Sequence, residues 1–339
     1  MMQAALFEKA FKLDLVNYPL NRMGEKDLRI RVETCGVCRT DLHIYSGEAP
    51  ASPPVILGHE YVGAIVEIGS KVSGFQIGEK VVVDPNITCG YCPFCKKGKV
   101  NLCENLVALG VNIDGGFAEY SVIPASQAYH LPEDFPAKRA AFAEPLSCCL
   151  RGIQQASIEM ADSVAIVGGG TIGLLMLQLV RLSGAAKTIL LEPITRKQEI
   201  AKQLSADFVL DSNQHDVVDK LRDITEGGAD VVIECVGSSK AAELAVKIAK
   251  RGGRVVLFGL AERNATIELN LQDLFHRELA IKSSLLNPFT FQRAVDLLIS
   301  NKIRVEPLEP VSVELENIPQ LFSRSWNSSI TKYQIFPSA

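Results

Sequence analysis

The stretch Ser163-Val-Ala-Ile-Val-Gly168-Gly169-Gly170-Thr-Ile172-Gly173-Leu-Leu-Met-Leu-Gln-Leu-Val180 constrains the fold more than any other part of this chain. An apolar strand, a glycine turn and an apolar helix start follow one another without a spacer, and a G-x-G-x-x-G match gains meaning only in that setting. Gly168 permits the tight turn, Gly170 lets the backbone approach a pyrophosphate, and Gly173 lets the helix pack closely on the sheet. Ile172 lies inside the same turn, whose helix N-terminus offers free N–H groups to phosphate. The next strand-like run, Lys187-Thr-Ile-Leu-Leu-Glu192, ends in an acid at the distance expected for a hydrogen bond to the adenosine ribose. A carboxylate there accepts from a 2′-hydroxyl and repels a 2′-phosphate, so NAD is expected over NADP. Arg196 and Lys197 follow closely, and Lys197 is carried as a cofactor-binding candidate. The plainer reading of both is a solvated helix start.

Strand and helix patterns then alternate. Asp207–Leu210, Ala229–Gly237, Arg254–Gly259 and Leu279–Ser284 read as further buried strands, with helices near 215–226 and 239–250. With the first two, six strands and their crossover helices predict a doubly wound parallel sheet.

The N-terminal half has a different texture. Leu28–Val32, Tyr61–Ile68 and Glu79–Asp84 are strand-like runs broken by Gly and Pro, and the first alternates apolar with charged residues. At 339 residues the chain exceeds the size at which one core stops growing, so a mostly β domain beside the α/β one is the expected plan. A net charge of -4 makes nucleic acid and anionic membranes poor partners. No apolar run of about twenty residues appears, and the N-terminus meets Glu8 and Lys9 before an apolar signal region could form. A cytoplasmic protein with no membrane partner is expected.

Nine cysteines without a secretion signal point to metal or redox chemistry rather than a disulfide framework. Cys89, Cys92, Cys95 and Cys103 place four thiols in fifteen residues, enough for a closed tetrahedral structural zinc site; four thiolates also suit an iron–sulfur cluster. Cys35 and Cys38 have C-x-x-C spacing, but no thioredoxin-like βαβ pattern surrounds them. Cys38 can instead join His59 and Glu60, which leave the backbone side by side after Gly58, on a second metal with an open position.

These motifs together resemble the zinc-dependent medium-chain alcohol and polyol dehydrogenases over nearly the whole chain. The resemblance rests on Cys38-Arg39-Thr40-Asp41-Leu-His43, Gly58-His59-Glu60, the four-cysteine lobe, Gly115-Gly-Phe-Ala-Glu-Tyr120, Ala143-Glu144-Pro145-Leu146 and the glycine turn. It implies a GroES-like catalytic domain at 1–147 and 287–339, a Rossmann cofactor domain at 148–286, and an active site in the cleft between them. It also implies a homodimer or homotetramer. Two zinc ions per chain follow, one structural and one catalytic, the latter on Cys38, His59, Glu60 and Glu144. Simple alcohol dehydrogenases carry a second Cys where Glu144 stands, and the Glu resembles the sorbitol and xylitol branch. Cys148 is the alternative under a shifted alignment. Threonine dehydrogenases are a poorer match, since that branch favours Asp-Pro where Glu144-Pro145 stands. Sorbitol dehydrogenases tend to carry an Arg where Leu286-Asn287 align, and Ile44 replaces a family aromatic.

The implied chemistry is oxidation of a polyol or secondary alcohol. Zinc acts as a Lewis acid, an effect that on bound water lowers the pKa to about 7. Thr40 would take the proton first, and a path over the nicotinamide ribose would end at His43, whose ordinary pKa suits exchange with water. Arg39 would meet the pyrophosphate, and Val236 and Phe258 the nicotinamide. Sugar-alcohol phosphates and 2,3-diols are alternative substrates. A zinc- and NAD(H)-binding sensor without turnover is the rival of another class, and it would need no proton relay.

Overall fold

The structure, a computed structural model, describes residues 1–324 and 326–337. The chain divides into two compact units. One comprises Met1–Pro145, Phe291–Lys302 and the segment from Glu309 onward; the other comprises Leu146–Thr290 and Ile303–Leu308.

The second unit is built on a six-stranded parallel sheet. Its order is Phe208–Leu210, Lys187–Leu191, Ser163–Val167, Ala229–Glu234, Ala249–Leu257, Ala280–Ser283. All five pairings are parallel. Ser163–Val167 is buried at every residue, as a parallel strand covered on both faces must be. The order reverses beside it, which fixes where a doubly wound sheet opens its crevice. The expected Rossmann sheet is therefore present. Its fifth strand begins at Ala249, earlier than the apolar run suggests, because Arg251 and Gly252 cross a register shift before the pairing resumes at Arg254. The short return at 303–308 is tied to this unit by Gln178, which donates to Arg304 O (3.0 Å) and accepts from Arg304 N (2.8 Å).

The first unit is mostly β. Its larger sheet runs Ala128–His130, Lys80–Val83, Glu60–Ile68, Asp27–Val37, Tyr333–Phe336, Val311–Glu314, with Tyr120–Pro124 also paired to Asp27–Val37. Leu28, Ile30, Val32, Tyr61, Ile65, Phe117 and Ile335 share its apolar core. Asp27–Val37 is the central strand: it pairs antiparallel with Glu60–Ile68 on one side and with Tyr333–Phe336 on the other. Thr34 Oγ1 donates to Ile335 O at 2.9 Å, so two segments 301 residues apart in sequence meet in the middle of one sheet. No helix among the described residues is long and apolar enough to cross a membrane.

Candidate functional site

Cys38 ends the central strand and begins the helix Arg39–Tyr45. Its side chain accepts from Thr40 N, while the Asp41 carboxylate reaches back to Cys38 N at 2.8 Å, a capping box that fixes both side chains. Gly58 has φ +89°, and a Cβ there would lie 2.5 Å from the Phe117 ring and 2.8 Å from Cys35 Sγ. Glycine at that point lets the chain turn tightly into the Glu60–Ile68 strand with His59 and Glu60 aimed at one place. The ligand atoms of Cys38, His59 and Glu60 lie within 4.8 Å of one another, and the last two residues are buried.

These donors fit a divalent cation. His59 Nδ1 lies 3.3 Å from Asp41 Oδ1, yet neither atom, nor Glu60 Oε2, makes a hydrogen bond of acceptable geometry. Burial works against an imidazolium at His59, but Asp41 and Cys38 outweigh it and hold the ring well above the ordinary imidazole range. A site that draws a proton onto a buried histidine has a deficit of positive charge, and a metal ion would supply it. A carboxylate against the far side of a ligand histidine is the usual orienting device. Zinc accepts this sulfur, nitrogen and oxygen donor set with a position to spare.

Glu144 stands outside that trio. It lies buried in the first turn of the Ala143–Ala156 helix, and its charge is felt at Lys332. The structure thus brings three of the four expected ligands together and places the fourth as a charged neighbour. Thr40 Oγ1 is 3.5 Å from Cys38 Sγ. His43, one turn further along the same helix, has its Nδ1 2.6 Å from Glu48 Oε2 and a side chain only 15% exposed. Arg39 is exposed in the helix's first turn.

Two participants escaped sequence reasoning. Asp41 sits inside the quoted motif, and its total burial was the missing signal. Lys332 is 5% exposed and forms an ion pair with Glu60. It stands beyond the last recognisable motif, and only the strand pairing reveals it.

The four-cysteine lobe closes as expected. All four sulfurs lie within 4.8 Å of one another. Backbone N–H groups of Cys92, Cys95, Cys89 and Asn105 each reach a sulfur at 3.4 Å. Burial opposes ionisation of Cys89, but the N–H groups of Cys92 and Tyr91 prevail and bring its thiol down to about 6. Burial and then the neighbouring Cys92 sulfur push the Cys95 thiol the other way, up to about 12, so four sulfurs this close call for a cation such as a structural zinc ion to share their charge.

In the second unit the cofactor candidates lie at carboxyl ends of parallel strands. Gly168 follows Val167 with φ +101°, and a Cβ on Gly173 would lie 1.8 Å from Gly168 O. A Cβ on Gly170 would meet nothing within 4 Å, so the space before the Thr171–Leu182 helix is open. Glu192 is buried and accepts from Gly169 N (2.6 Å) and Ile194 N (2.9 Å). Lys197 lies in the Thr195–Gln203 helix. Val236 N donates to Glu234 Oε1 at 2.7 Å, and Phe258 N to Glu234 O at 2.9 Å, so one buried glutamate braces both nicotinamide candidates.

Both units match families of known proteins. Residues 24–133 match the alcohol dehydrogenase GroES-like domain, and residues 171–300 match the zinc-binding dehydrogenase family. L-threonine 3-dehydrogenase of Pyrococcus horikoshii is 37% identical, covering 76% of this chain and 75% of its own. Sorbitol dehydrogenase of Halalkalibacterium halodurans is 33% identical over 84% of each. A Sinorhizobium meliloti 1021 protein, described as a zinc-binding dehydrogenase and solved bound to NADP, superposes with a TM-score of 0.96 at 39% identity over 99% of both chains.

Proposed function

Because this chain belongs to the zinc-dependent medium-chain alcohol and polyol dehydrogenases, enzymes that work with NAD or NADP, we propose that it oxidises a polyol or secondary alcohol with NAD. The substrate would be of the sorbitol, xylitol or arabinitol type. The observation that carries this reading is the convergence of Cys38, His59 and Glu60 beside Thr40, with Glu144 as a buried acidic neighbour.

Cys38, His59 and Glu60 would hold the ion, and Asp41 would keep the His59 ring oriented toward it. Bound zinc supplies Lewis acidity toward an alcohol oxygen, and bound NAD supplies the hydride acceptor. Thr40 Oγ1 takes the hydroxyl proton, and His43, steadied through Nδ1 by Glu48, delivers it to water. Gly168, Gly170, Ile172 and Gly173 shape the phosphate cradle. The buried negative charge of Glu192 supports NAD, since a 2′-phosphate would approach it at a cost. The four cysteines hold the second zinc. A homo-oligomer is supported by the edge strand Ala280–Ser283, with Leu271 and Phe275 nearby 79% and 81% exposed.

A second reading, oxidation of a 3-hydroxy amino acid, is favoured by the L-threonine 3-dehydrogenase relatives. One screen separates the readings. NADH and NADPH formation is followed with C3 to C6 polyols, their phosphates, 2,3-diols and L-threonine, in the protein loaded with zinc. Turnover of polyols with NAD supports the proposal, turnover of L-threonine alone replaces it, and none on any substrate returns the sensor reading.

A further inference from the structure

Asp114 is not one of the candidate ligands, yet it grips the chain that leads to them. His59 and Glu60 follow Val55–Ile56, a two-residue strand paired with Phe7 and Leu6. So short a strand does not by itself fix where Gly58 turns. The run Gly115-Gly116-Phe117 supplies part of what is missing. Gly115 N donates to Ile56 O (2.8 Å), Phe117 N to Leu57 O (3.0 Å) and Gly116 N to Gly58 O (2.8 Å). A Cβ on Gly110 or Gly115 would lie 2.3 or 2.2 Å from Gly58 O, so this approach needs glycine at both positions.

Those bonds occupy carbonyls and leave the N–H side of the approach to be held by something else. Asp114 holds it: Oδ1 accepts from Ile56 N at 2.9 Å, three residues before His59. Oδ2 accepts from Asn21 Nδ2 at 2.9 Å, and the Tyr18 hydroxyl hydrogen-bonds the same carboxylate. Tyr18 ends the strand Lys12–Tyr18, so one acceptor-only group ties that strand's exit to the segment that delivers two candidate ligands. The carboxylate also borders a cavity of about 290 Å³, which leaves room for a shorter side chain there.

We propose that Asp114 is a positioning residue for the candidate metal site: its hydrogen bond to Ile56 N fixes where Gly58 turns, and so places the His59 ring against Cys38 and Glu60. Its effect runs through the backbone, and what Ile56 N needs is an acceptor rather than a charge. This inference rests on the metal site proposed above.

The test compares wild type with Asp114→Ala and Asp114→Asn. It reads metal affinity by chelator competition, the visible spectrum of the cobalt-substituted protein, and amide hydrogen exchange of the zinc-free chain. Asp114→Ala removes the acceptor, so exchange at residues 56–60 should quicken and the cobalt bands should shift. Metal affinity at the Cys38 site should fall about 10-fold, the lower end of the cost of losing an outer partner, while the four-cysteine zinc stays bound. Asp114→Asn keeps an oxygen for Ile56 N, and its amide donates to Asn21 once that side chain turns over; affinity and spectrum should stay close to wild type. Faster exchange with unchanged affinity and spectrum in Asp114→Ala would leave only a structural clamp and overturn the proposal. Equal losses in both variants would also overturn it, since the charge would then be the active feature. If Asp114→Ala does not fold, Tyr18→Phe combined with Asn21→Ala frees the same carboxylate from its other anchors and should shift the cobalt bands; unaltered bands overturn the role of Asp114. Failure of the wild-type protein to bind a second metal beyond the four-cysteine site overturns the metal-site reading itself.

Discussion

The carboxylate of Asp41 divides its oxygens between two tasks: Oδ2 accepts from Cys38 N at 2.8 Å, and Oδ1 faces His59 Nδ1 at 3.3 Å. The first task builds the helix start that carries Thr40 and His43, and the second faces a candidate ligand. Asp41→Asn keeps the volume and an acceptor for Cys38 N but removes the charge opposite the imidazole. Zinc affinity at this site should fall about 10- to 100-fold, while the four-cysteine zinc stays bound; equal affinity in chelator titrations would show that the pairing contributes nothing. Glu192 divides itself in the same way. Sequence reasoning assigned it to a ribose, yet both its oxygens already accept backbone N–H groups of the glycine turn and the following segment. Glu192→Ala should therefore destabilise as well as relax cofactor choice. Each donor left without a partner costs about 1–3 kcal/mol if buried. A lowered urea midpoint together with a reduced ratio of kcat/KM for NAD over NADP is the expected result, and a shift in cofactor ratio alone would contradict the structural part.

Elements of the second unit were legible because parallel strands covered on both faces appear as unbroken apolar runs. What the runs do not carry is how neighbouring strands are locked at their starts. Asp230 accepts from Ser163 N (2.9 Å) and Ser163 Oγ (2.6 Å), joining two adjacent strands, and Lys250 of a third strand pairs with it at 2.6 Å. Asp207 repeats the device with Thr188 N (2.8 Å) and Thr188 Oγ1 (2.7 Å). At Asp230 burial favours the neutral acid, but Lys250 and Ser163 prevail and hold the carboxyl below its ordinary value. At Asp207 burial is likewise overcome, by Thr188 and Arg181. Depressed native values mean that the stabilisation is complete above the unfolded value of about 3.9 and drains away as pH falls through the native ones. The urea midpoint should hold from about pH 7 to about pH 5 and drop below about pH 4. Asp230→Asn should start lower at neutral pH and lose less on acidification, and parallel curves for the two proteins would refute the clamp.

At the scale of the molecule, the three candidate ligands lie within residues 38–60, inside the motifs that carry the family resemblance. The sheet that holds them does not close within that range. Tyr333–Phe336 lies between the central strand and Val311–Glu314, and Lys332 beside it meets Glu60. Nothing in the residues around Lys332 signals this, because β pairing over some three hundred residues leaves no local pattern, and a single Lys before a short apolar run reads as a solvated strand end. The completeness of the first unit therefore depends on the last few residues. Removing everything after Ile330 would strip the C-terminal strand from Cys35–Val37, expose Ile335's place in the core, and leave Glu60 buried without its cation. Loss of a buried partner is more damaging than loss of the pair, about 3–5 kcal/mol for an ion left unpaired. The six-stranded sheet takes no residue from this segment, and the four-cysteine loop supplies all its own ligands. The truncated chain should hence keep NAD binding and about one zinc ion, and lose the second of about two together with turnover. Metal analysis and NAD titration on the same preparation decide it: a truncated protein that retains both metals would mean that the first sixty residues organise the site unaided, and that the C-terminal strand only covers it.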